Sequence, residues 1–218
     1  MAAMSATASL LSVHTGAVAP LGPEAVPSAF VKHSVSGTIA VTALGLAGDS
    51  QADRQVHGGP EKAVYGYAVS RYPAWQKQFP ELAAAFQPGA MGENLCITGL
   101  DETALCVGDV HGIGTALLQV CQPRQPCFKL SLRHNNRELP RAMVRNGFSG
   151  WYYRVLATGT LAAGSAVTLQ DRPHPDFRFD RLVEIVNYGN ASKDELRQMA
   201  QMPELASQWR TRAQSLLD

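Results

Sequence analysis

The feature that most constrains the fold is a series of short β-forming segments separated by turn residues. Between about residue 8 and residue 170, runs rich in Val, Ile, Thr, Leu and Tyr alternate with Gly, Pro and Asp. Such runs predict strands, and the frequent turns favour a closed or nearly closed barrel over a parallel sheet. The predicted strands are 9–13, 37–43, 62–69, 94–98, 114–121, 152–157 and 166–170. Small helices are predicted at 73–79 and 139–146.

The pattern changes near residue 171. The segment 171–176 contains two prolines and several polar residues, and a helical periodicity follows it. We therefore predict a mainly β domain with small peripheral helices at 1–170, followed by a three-helix domain at 176–218. In the second domain, Asp180 is predicted to cap the first helix, Ser192 and Glu195 have the spacing of a capping box for the second, and Pro203 suits the first turn of the third.

Composition and charge exclude several classes of protein. The chain has 218 residues, of which 45% are hydrophobic and 17% charged, and this is typical of a globular protein with a proper core. Its net charge of +1 gives no overall field that would attract duplex nucleic acid. The segment before Lys32 has no basic residue and no sustained apolar run, so it resembles neither a signal peptide nor a membrane span. A cytoplasmic location is expected.

The four cysteines are Cys96, Cys106, Cys121 and Cys127. They form no Cys-x-x-Cys pair and have no His at ligand spacing, so a structural zinc site is poorly supported and free thiols are expected. Cys96 and Cys121 lie in apolar runs that are typical of strand or core positions. Cys127 has different surroundings.

Cys127 ends the loop Gln122-Pro-Arg-Gln-Pro-Cys127. The two prolines stiffen this loop and remove ladder hydrogen bonds, so the preceding strand is predicted to end at Cys121. Pro126 is compatible with a helix that starts beside Cys127, and the basic residues Arg124 and Lys129 favour a thiolate. A thiolate can bind a soft metal or act as a nucleophile. The alternative is a small buried hydrophobic residue.

A second cluster of polar residues surrounds a glycine pair. Glycines let the backbone approach a ligand closely, and Arg and Lys beside exposed N–H groups make an anion site. His57 and Asp53 add the capacity to transfer protons. The alternative is a solvated loop whose charges pair with each other. The residues of this cluster are Asp49, Asp53, Arg54, His57, Gly58, Gly59 and Lys62.

The order and spacing of these motifs resemble the MOSC-domain family, named for the C-terminal domain of molybdenum cofactor sulfurases. More narrowly, the chain resembles the bacterial branch linked to resistance against 6-N-hydroxylaminopurine, in which a MOSC β-barrel precedes a short three-helix domain. The resemblance runs from about residue 8 to the C-terminus. Phe128 stands where relatives often have Trp. The matching segments are 48–53, 57–59, 62–65, 92–95, 122–130 and 150–155.

The resemblance implies a molybdenum cofactor, and not pyridoxal phosphate, with the Cys127 thiolate as the protein's ligand to the metal. It implies reduction of N-hydroxylated substrates, such as hydroxylaminopurine-type bases, to amines. Asp53 and His57 are the candidates for handling protons. The chain has no iron–sulfur, haem or dinucleotide motif, so a separate flavoprotein reductase is expected as a transient electron donor. The candidates for binding the pterin and its phosphate are Arg54, His57, Gly58, Gly59, Lys62, Asn94 and Arg124.

The residues leave other interpretations open. Cys127, His57 and Asp53 would also suit a cysteine hydrolase, and the same site could serve a carrier of the cofactor or of sulfur that catalyses nothing. Glu93 and Asn94 either cap a turn or contact the cofactor. Lys32 is placed outside the site. The sequence does not decide between a monomer and a homodimer.

Overall fold

The structure is a computed structural model, and it describes residues 8–52 and 58–218. Asp53, Arg54 and His57 lie outside the described residues, so their predicted roles stay predictions. The strands are β1 (Ser9–Thr15), β2 (Ala19–Leu21), β3 (Val26–Ser28), β4 (His33–Val35), β5 (Ile39–Thr42), β6 (Gly45–Leu46), β7 (Val64–Ala68), β8 (Leu95–Thr98), β9 (Val110–Ile113), β10 (Ala116–Pro123), β11 (Trp151–Ala157), β12 (Gly159–Leu161) and β13 (Val167–Asp171). The α-helices are α1 (Tyr72–Gln78), α2 (Phe128–His134), α3 (Leu139–Asn146), α4 (Phe179–Tyr188), α5 (Lys193–Gln201) and α6 (Ser207–Ser215).

The main sheet has the strand order β13-β9-β10-β11-β7-β8-β1-β4 in the described part of the chain. Its neighbouring strands pair antiparallel, except that β7 and β8 are parallel, with Gly66 opposite Leu95. Smaller sheets consist of β12-β5-β6 and β2-β3. Because β7 and β8 run in the same direction, the residues that precede both strands meet at one edge of the sheet.

The sheet curves until its two ends nearly meet. The backbone N–H of Leu10 donates to the carbonyl of Ser165 at 2.9 Å, and that of Val167 donates to Ala8 at 2.8 Å. An isolated bridge also pairs Ser9 with Ala166, at the start of β13. The prediction of a mainly β fold with small helices and a helical C-terminal region is confirmed. β1 and β13 do not form a continuous ladder of hydrogen bonds, so the barrel is not fully closed between them. A bulge in β1 bends the strand at this place.

Two apolar clusters stabilise this arrangement. The first fills the barrel and continues beneath the C-terminal helices, so that Leu118 and Trp151 of the barrel belong to the same cluster as Phe179 and Trp209. The second packs α1, α2 and α3 against the outside of the sheet around Trp75. The C-terminal helices therefore bury their apolar faces against the barrel. Whether 1–170 and 176–218 fold as separate domains stays a prediction.

The helix starts predicted in the C-terminal region are partly correct. The capping box of α5 is confirmed, because the Glu195 N–H donates to Ser192 Oγ at 3.2 Å and the Ser192 N–H donates to Glu195 Oε2 at 2.7 Å. Asp180 does not cap α4: Arg178 is the N-cap, and the Asp180 carboxylate accepts a hydrogen bond from its guanidinium. Pro203 does not start α6, because residues 203–206 form a turn whose Ala206 N–H donates to the carbonyl of Cys121 at 3.0 Å.

No helix in the two described ranges is long and apolar enough to cross a membrane.

Candidate functional site

A cleft of about 570 Å³, measured with its open mouth, lies where β10 ends and β7 and β8 begin. Lys62 and Tyr65 reach it from the start of β7, Asn94 from the residue before β8, and Arg124 and Cys127 from the loop after β10. The remaining residues that line it are Ser28, Ala29, Phe30, Lys32, Asp49, Ser50, Gln51, Ala52, Gly92, Lys129 and Tyr152. The fold thus joins two motif clusters that are about 60 residues apart in the sequence.

The glycine pair lies beside this cleft. Gly58 and Gly59 precede a short 3-10 helix, Pro60–Lys62, which ends at the cleft residue Lys62. Gly59 has φ of 90° and ψ of 172°, a conformation that a residue with a Cβ rarely adopts. The glycines therefore shape the turn that delivers Lys62. Their predicted contact with a cofactor stays a prediction.

The loop that ends in Cys127 differs in one respect from its prediction. Strand β10 does not end at Cys121 but continues to Pro123, which pairs with Trp151. A bulge between Val120 and Gln122 lets the strand continue, and the proline costs little because it is the last residue of the strand. Cys127 is the N-cap residue of α2, which confirms the predicted helix start. Its thiol is free and half-buried at the cleft.

Arg124 carries a buried charge into the wall of the cleft. The residue is 7% exposed, and its guanidinium carbon lies 5.1 Å from the ring centroid of Phe30 and 5.0 Å from that of Tyr65. The rings hold the guanidinium by cation–π contacts. Its Nη1 atom is buried and has no hydrogen-bond partner among the described residues. Since buried donors are nearly always paired in native proteins, this atom marks a place for an acceptor from a ligand.

Lys32 belongs to the site, and the prediction that placed it outside is wrong. It lines the cleft, and its ammonium group forms a salt bridge with Asp49 in which both side chains are almost fully buried. Burial lowers the pKa of Lys32, and the charge of Asp49 opposes this shift in part. Lys32 lies 17 residues before Asp49, and its single positive charge in an extended segment gave no signal of this contact.

Asp49 connects Lys32 to the strands below the cleft. Its Oδ1 accepts the backbone N–H of Gly16 at 2.8 Å, and its Oδ2 accepts a hydrogen bond from Asn94 Nδ2 at 2.9 Å. Asn94 Nδ2 also donates to the carbonyl of His14 at 3.1 Å, while its Oδ1 accepts the backbone N–H of Tyr65 at 3.0 Å. Asn94 therefore fixes β1, β7 and Asp49 relative to one another. Its contact with a cofactor stays a prediction.

Glu93 caps a turn, which was one of the two roles that the sequence left open for it. It is fully buried, and its carboxylate accepts the backbone N–H groups of Gly89 at 2.7 Å and Met91 at 3.0 Å. The Tyr72 hydroxyl donates to the same carboxylate. Glu93 thus organises the turn before β8, and it is not among the residues that line the cleft.

Aromatic side chains form the apolar part of the cleft wall. Tyr65 and Tyr152 pack with ring centroids 5.3 Å apart, and the Tyr65 hydroxyl donates to the carbonyl of Ser149 at 2.8 Å. Burial raises the pKa of both tyrosines, so the hydroxyl groups stay protonated at neutral pH. In the sequence analysis, Tyr65 belonged to a motif that indicated the family, but no role was predicted for Tyr65 itself. Tyr152 was expected only to pack against the barrel.

The cleft is far more positive than the chain as a whole. Among its described lining residues, Lys32, Lys62, Arg124 and Lys129 face a single carboxylate, that of Asp49, which gives a formal charge of +3. The whole chain has +1. Positive charge concentrated in a partly enclosed, low-dielectric cleft attracts an anionic ligand strongly.

The other three thiols are unsuited to chemistry. Cys96, Cys106 and Cys121 are buried. Burial raises the pKa of Cys121 to about 12 and raises that of Cys96 and Cys106 as well. The expectation that all four cysteines are free is confirmed. Across residues 8–52 and 58–218, no group of three His, Cys, Asp or Glu side chains is arranged to hold a metal ion.

Comparisons with known proteins agree on one family. A family model described as MOSC domain matches residues 53–168. Protein YiiM from Escherichia coli strain K12 is 41% identical over 162 residues, which cover 74% of this chain and 72% of that protein. The crystal structure of YiiM from Geobacillus stearothermophilus superimposes with a TM-score of 0.82 at 30% identity, covering 97% of this chain and 100% of that one. A protein of Gibberella moniliformis strain M3125 / FGSC 7600 named Reductase is 34% identical over 197 residues, which cover 89% of this chain but 35% of that protein.

Proposed function

Because the chain belongs to the MOSC domain family, we propose that its positive cleft binds a molybdenum cofactor through Cys127 and reduces N-hydroxylated compounds to amines. The observation that carries the proposal is that the half-buried thiol shares a cleft with Arg124, whose buried Nη1 has no hydrogen-bond partner in the part of the chain that the structure describes. A thiolate is a ligand for a soft metal, and a guanidinium is a ligand for phosphate. A cofactor that carries both a metal and a phosphate satisfies both groups.

The residues around the cleft fit such a cofactor. Arg124 and Lys62 would bind its phosphate by charge-assisted hydrogen bonds, and the aromatic wall of Tyr65 and Tyr152 would pack against its planar ring system. Cys127 would be the protein's ligand to the metal. Asp53, Arg54 and His57 stay in the proposal as predicted site residues of the adjoining segment. The bound cofactor would supply two-electron chemistry at a centre that accepts oxygen.

The overall reaction consumes two protons as well as two electrons. An N-hydroxylamine, two electrons and two protons yield an amine and water, so the N–O bond breaks and its oxygen leaves as water. Lys32 lines the cleft with an N–H to donate, and Asp49 holds it there. The lowered pKa of Lys32 makes proton donation easier than from an exposed lysine. We assign Lys32, with His57 and Asp53, to proton delivery.

A separate flavoprotein reductase would supply the electrons. The name Reductase of the Gibberella moniliformis protein supports reductive chemistry for proteins that contain this type of chain. The match spans only 35% of that protein, so most of its length lies outside the part shared with this chain. This supports a donor that is not part of the cleft-bearing domain. The cytoplasmic location and a homodimeric state stay predictions.

Metal and pterin analysis tests the proposal. The wild-type protein, Cys127→Ala and the control Cys106→Ala would be produced in cells that make the cofactor, and molybdenum would be measured by mass spectrometry. We expect molybdenum and pterin in the wild type and the control, and loss of molybdenum in Cys127→Ala. Equal molybdenum in all three proteins would overturn ligation by Cys127.

Turnover tests the reaction. The loaded protein would be mixed with an N-hydroxylated purine and a chemical electron donor, and amine formation would be followed by chromatography. A loaded protein that forms no amine from any hydroxylamine would reject the reductase and favour a cofactor carrier. Stable acylation of Cys127 by an electrophilic ester in protein without cofactor would instead favour a cysteine hydrolase.

A further inference from the structure

Glu61 connects the C-terminal helices to the turn that carries Lys62. Its carboxylate accepts the backbone N–H of Ser207, the first residue of α6, at 3.0 Å and the Ser207 hydroxyl at 2.7 Å. The same carboxylate pairs with Arg154 of β11 at 2.8 Å. Because the first N–H groups of a helix have no partner within the helix, a carboxylate at this end stabilises it. The side chain of Glu61 thus joins the N-terminus of α6 to the turn that carries Lys62.

The backbone of Glu61 contacts the Cys127 side of the cleft through Gln122. Its carbonyl accepts a hydrogen bond from Gln122 Nε2 at 2.8 Å, and Gln122 lies near the end of β10, just before the loop that ends in Cys127. From the opposite side, the Trp209 indole N–H donates to Gln122 Oε1 at 3.2 Å, and Gln208 donates to the same oxygen. Gln122 is 1% exposed, and its bond with Trp209 is buried. Two residues of α6 therefore hold the end of β10, from which the loop with Arg124 and Cys127 continues.

We propose that Glu61 and Gln122 are positioning residues through which α6 sets the spacing between the Lys62 turn and the Cys127 loop, and so the affinity of the cleft for an anionic cofactor. The inference rests on the proposed function and extends it to the C-terminal helices. Neither residue lines the cleft itself. Each acts on cleft residues that follow it closely in sequence, Glu61 on Lys62 and Gln122 on Arg124.

Substitutions on both sides of the contact test this role. Glu61→Gln removes the charge from the turn, and Ser207→Asp places a like charge opposite Glu61 from the exposed start of α6. The control is Glu195→Gln, which weakens the capping box of α5 and the ion pair of Glu195 with Arg181, away from the cleft. The unfolding temperature of each variant would be measured, so that the binding and alkylation of variants with the same loss of stability can be compared.

Two readouts use the protein without cofactor. Pyrophosphate binding would be measured by calorimetry, and the rate at which iodoacetamide alkylates Cys127 by mass spectrometry. We expect Glu61→Gln and Ser207→Asp to weaken pyrophosphate binding about two- to thirtyfold, the range seen for mutations that change coupling between sites, and to change the alkylation rate. Glu195→Gln should leave both values at the wild-type level. The molybdenum content of the loaded protein should be lower in Glu61→Gln and Ser207→Asp than in the wild type and Glu195→Gln.

The outcomes separate this inference from the proposed function. An alkylation rate of Cys127 that is the same in the wild type, Glu61→Gln and Ser207→Asp overturns the positioning role, whatever the wild type binds. The positioning role is also overturned if Glu195→Gln, at the same loss of stability, changes pyrophosphate affinity and the alkylation rate as much as the two variants do. General destabilisation would then explain all the changes. A wild type without molybdenum, whose pyrophosphate affinity still depends on Glu61 and Ser207, would reject the cofactor and retain the positioning role.

Discussion

The guanidinium carbon of Arg124 lies 5.0 Å from the centre of the Tyr65 ring, and Nη1 of the same guanidinium is buried without a hydrogen-bond partner among the described residues. A buried donor that is left unpaired costs free energy of folding, of the order of 1–3 kcal/mol. The cleft wall therefore keeps a group that is unfavourable for stability and favourable for binding an anion. Such a trade is typical of functional sites.

Arg124→Met tests this relationship. Because methionine fills a similar volume without a charge, we expect the free energy of unfolding in urea to stay at or above the wild-type value. Pyrophosphate binding should weaken by at least about tenfold, because the charge-assisted bonds are lost. Arg141→Met, at an exposed position, is the control and should change neither value. A loss of stability above about 1 kcal/mol in Arg124→Met would mean that the guanidinium serves the fold instead.

The buried pair of Lys32 and Asp49 makes a second prediction. Lys32→Met leaves the Asp49 carboxylate buried without its counter-charge, which should lower the free energy of unfolding by about 3 kcal/mol. Adding Asp49→Asn should restore part of the loss, because asparagine is uncharged and its oxygen can still accept the Gly16 N–H, while the hydrogen bond from Asn94 is lost. Chemical denaturation of the two single variants and the double variant measures the coupling. Additive losses in the double variant would contradict a paired charge at this place.

The thiols should differ sharply in reactivity. Cys127 is half-buried, whereas Cys96, Cys106 and Cys121 are buried, and burial raises the pKa of Cys121 to about 12. At pH 8 iodoacetamide should therefore add once to the native protein, at Cys127, and four times only after denaturation. Intact-mass and peptide mass spectrometry check this. Pyrophosphate should slow the native reaction, and a first adduct at another cysteine would contradict the structure.

His111 predicts a dependence of stability on pH. Burial lowers the pKa of His111 from its ordinary value of 6.5 to about 4, and its Nδ1 lies 2.8 Å from the Tyr153 hydroxyl. Between these two values the unfolded chain binds the proton and the folded chain does not, so the free energy of unfolding falls as pH falls from about 6.5 to about 4. This contribution is about 3 kcal/mol at 1.36 kcal/mol per pKa unit.

Denaturation of the wild type and His111→Gln across this pH window measures the effect. The variant should be less stable at neutral pH, because it loses the buried imidazole, and its stability should fall less steeply on acidification. Tyr153→Phe is a control that removes the hydroxyl contact and keeps the titrating histidine. Parallel curves for the wild type and His111→Gln would show that other groups cause the acid sensitivity.

Much of the fold could be predicted because long strands repeat their apolar positions. The sequence pattern located β1, β5, β7, β8, β10, β11 and β13, and it placed α3 at Leu139–Asn146, where the structure has it. Six strands of two to four residues were not predicted, because so few residues are too few for a period. They are β2, β3, β4, β6, β9 and β12, whereas β5 and β8 are equally short but lie in runs rich in β-forming residues. In β2 and β3, Pro20 pairs opposite Pro27, a pattern that composition alone assigns to a loop.

The site was predictable where its residues share a motif and not where only the fold joins them. Lys62, Asn94, Arg124 and Cys127 stand in motifs, and the structure places all four at one cleft. Lys32 stands outside every motif. Its place depends on the salt bridge with Asp49, which depends in turn on how β1 and β8 pair, and no local pattern encodes such a contact.

The contact between Glu61 and Ser207 also bears on how the protein is made, because these residues are 146 positions apart in the chain. Ribosomes add roughly 5–20 residues per second, so on the order of ten seconds separate the synthesis of the two partners. During that interval the Lys62 turn exists without the helix that fixes it. The contacts of Glu61 with α6 therefore form late in chain synthesis, after the residues of the barrel have been made.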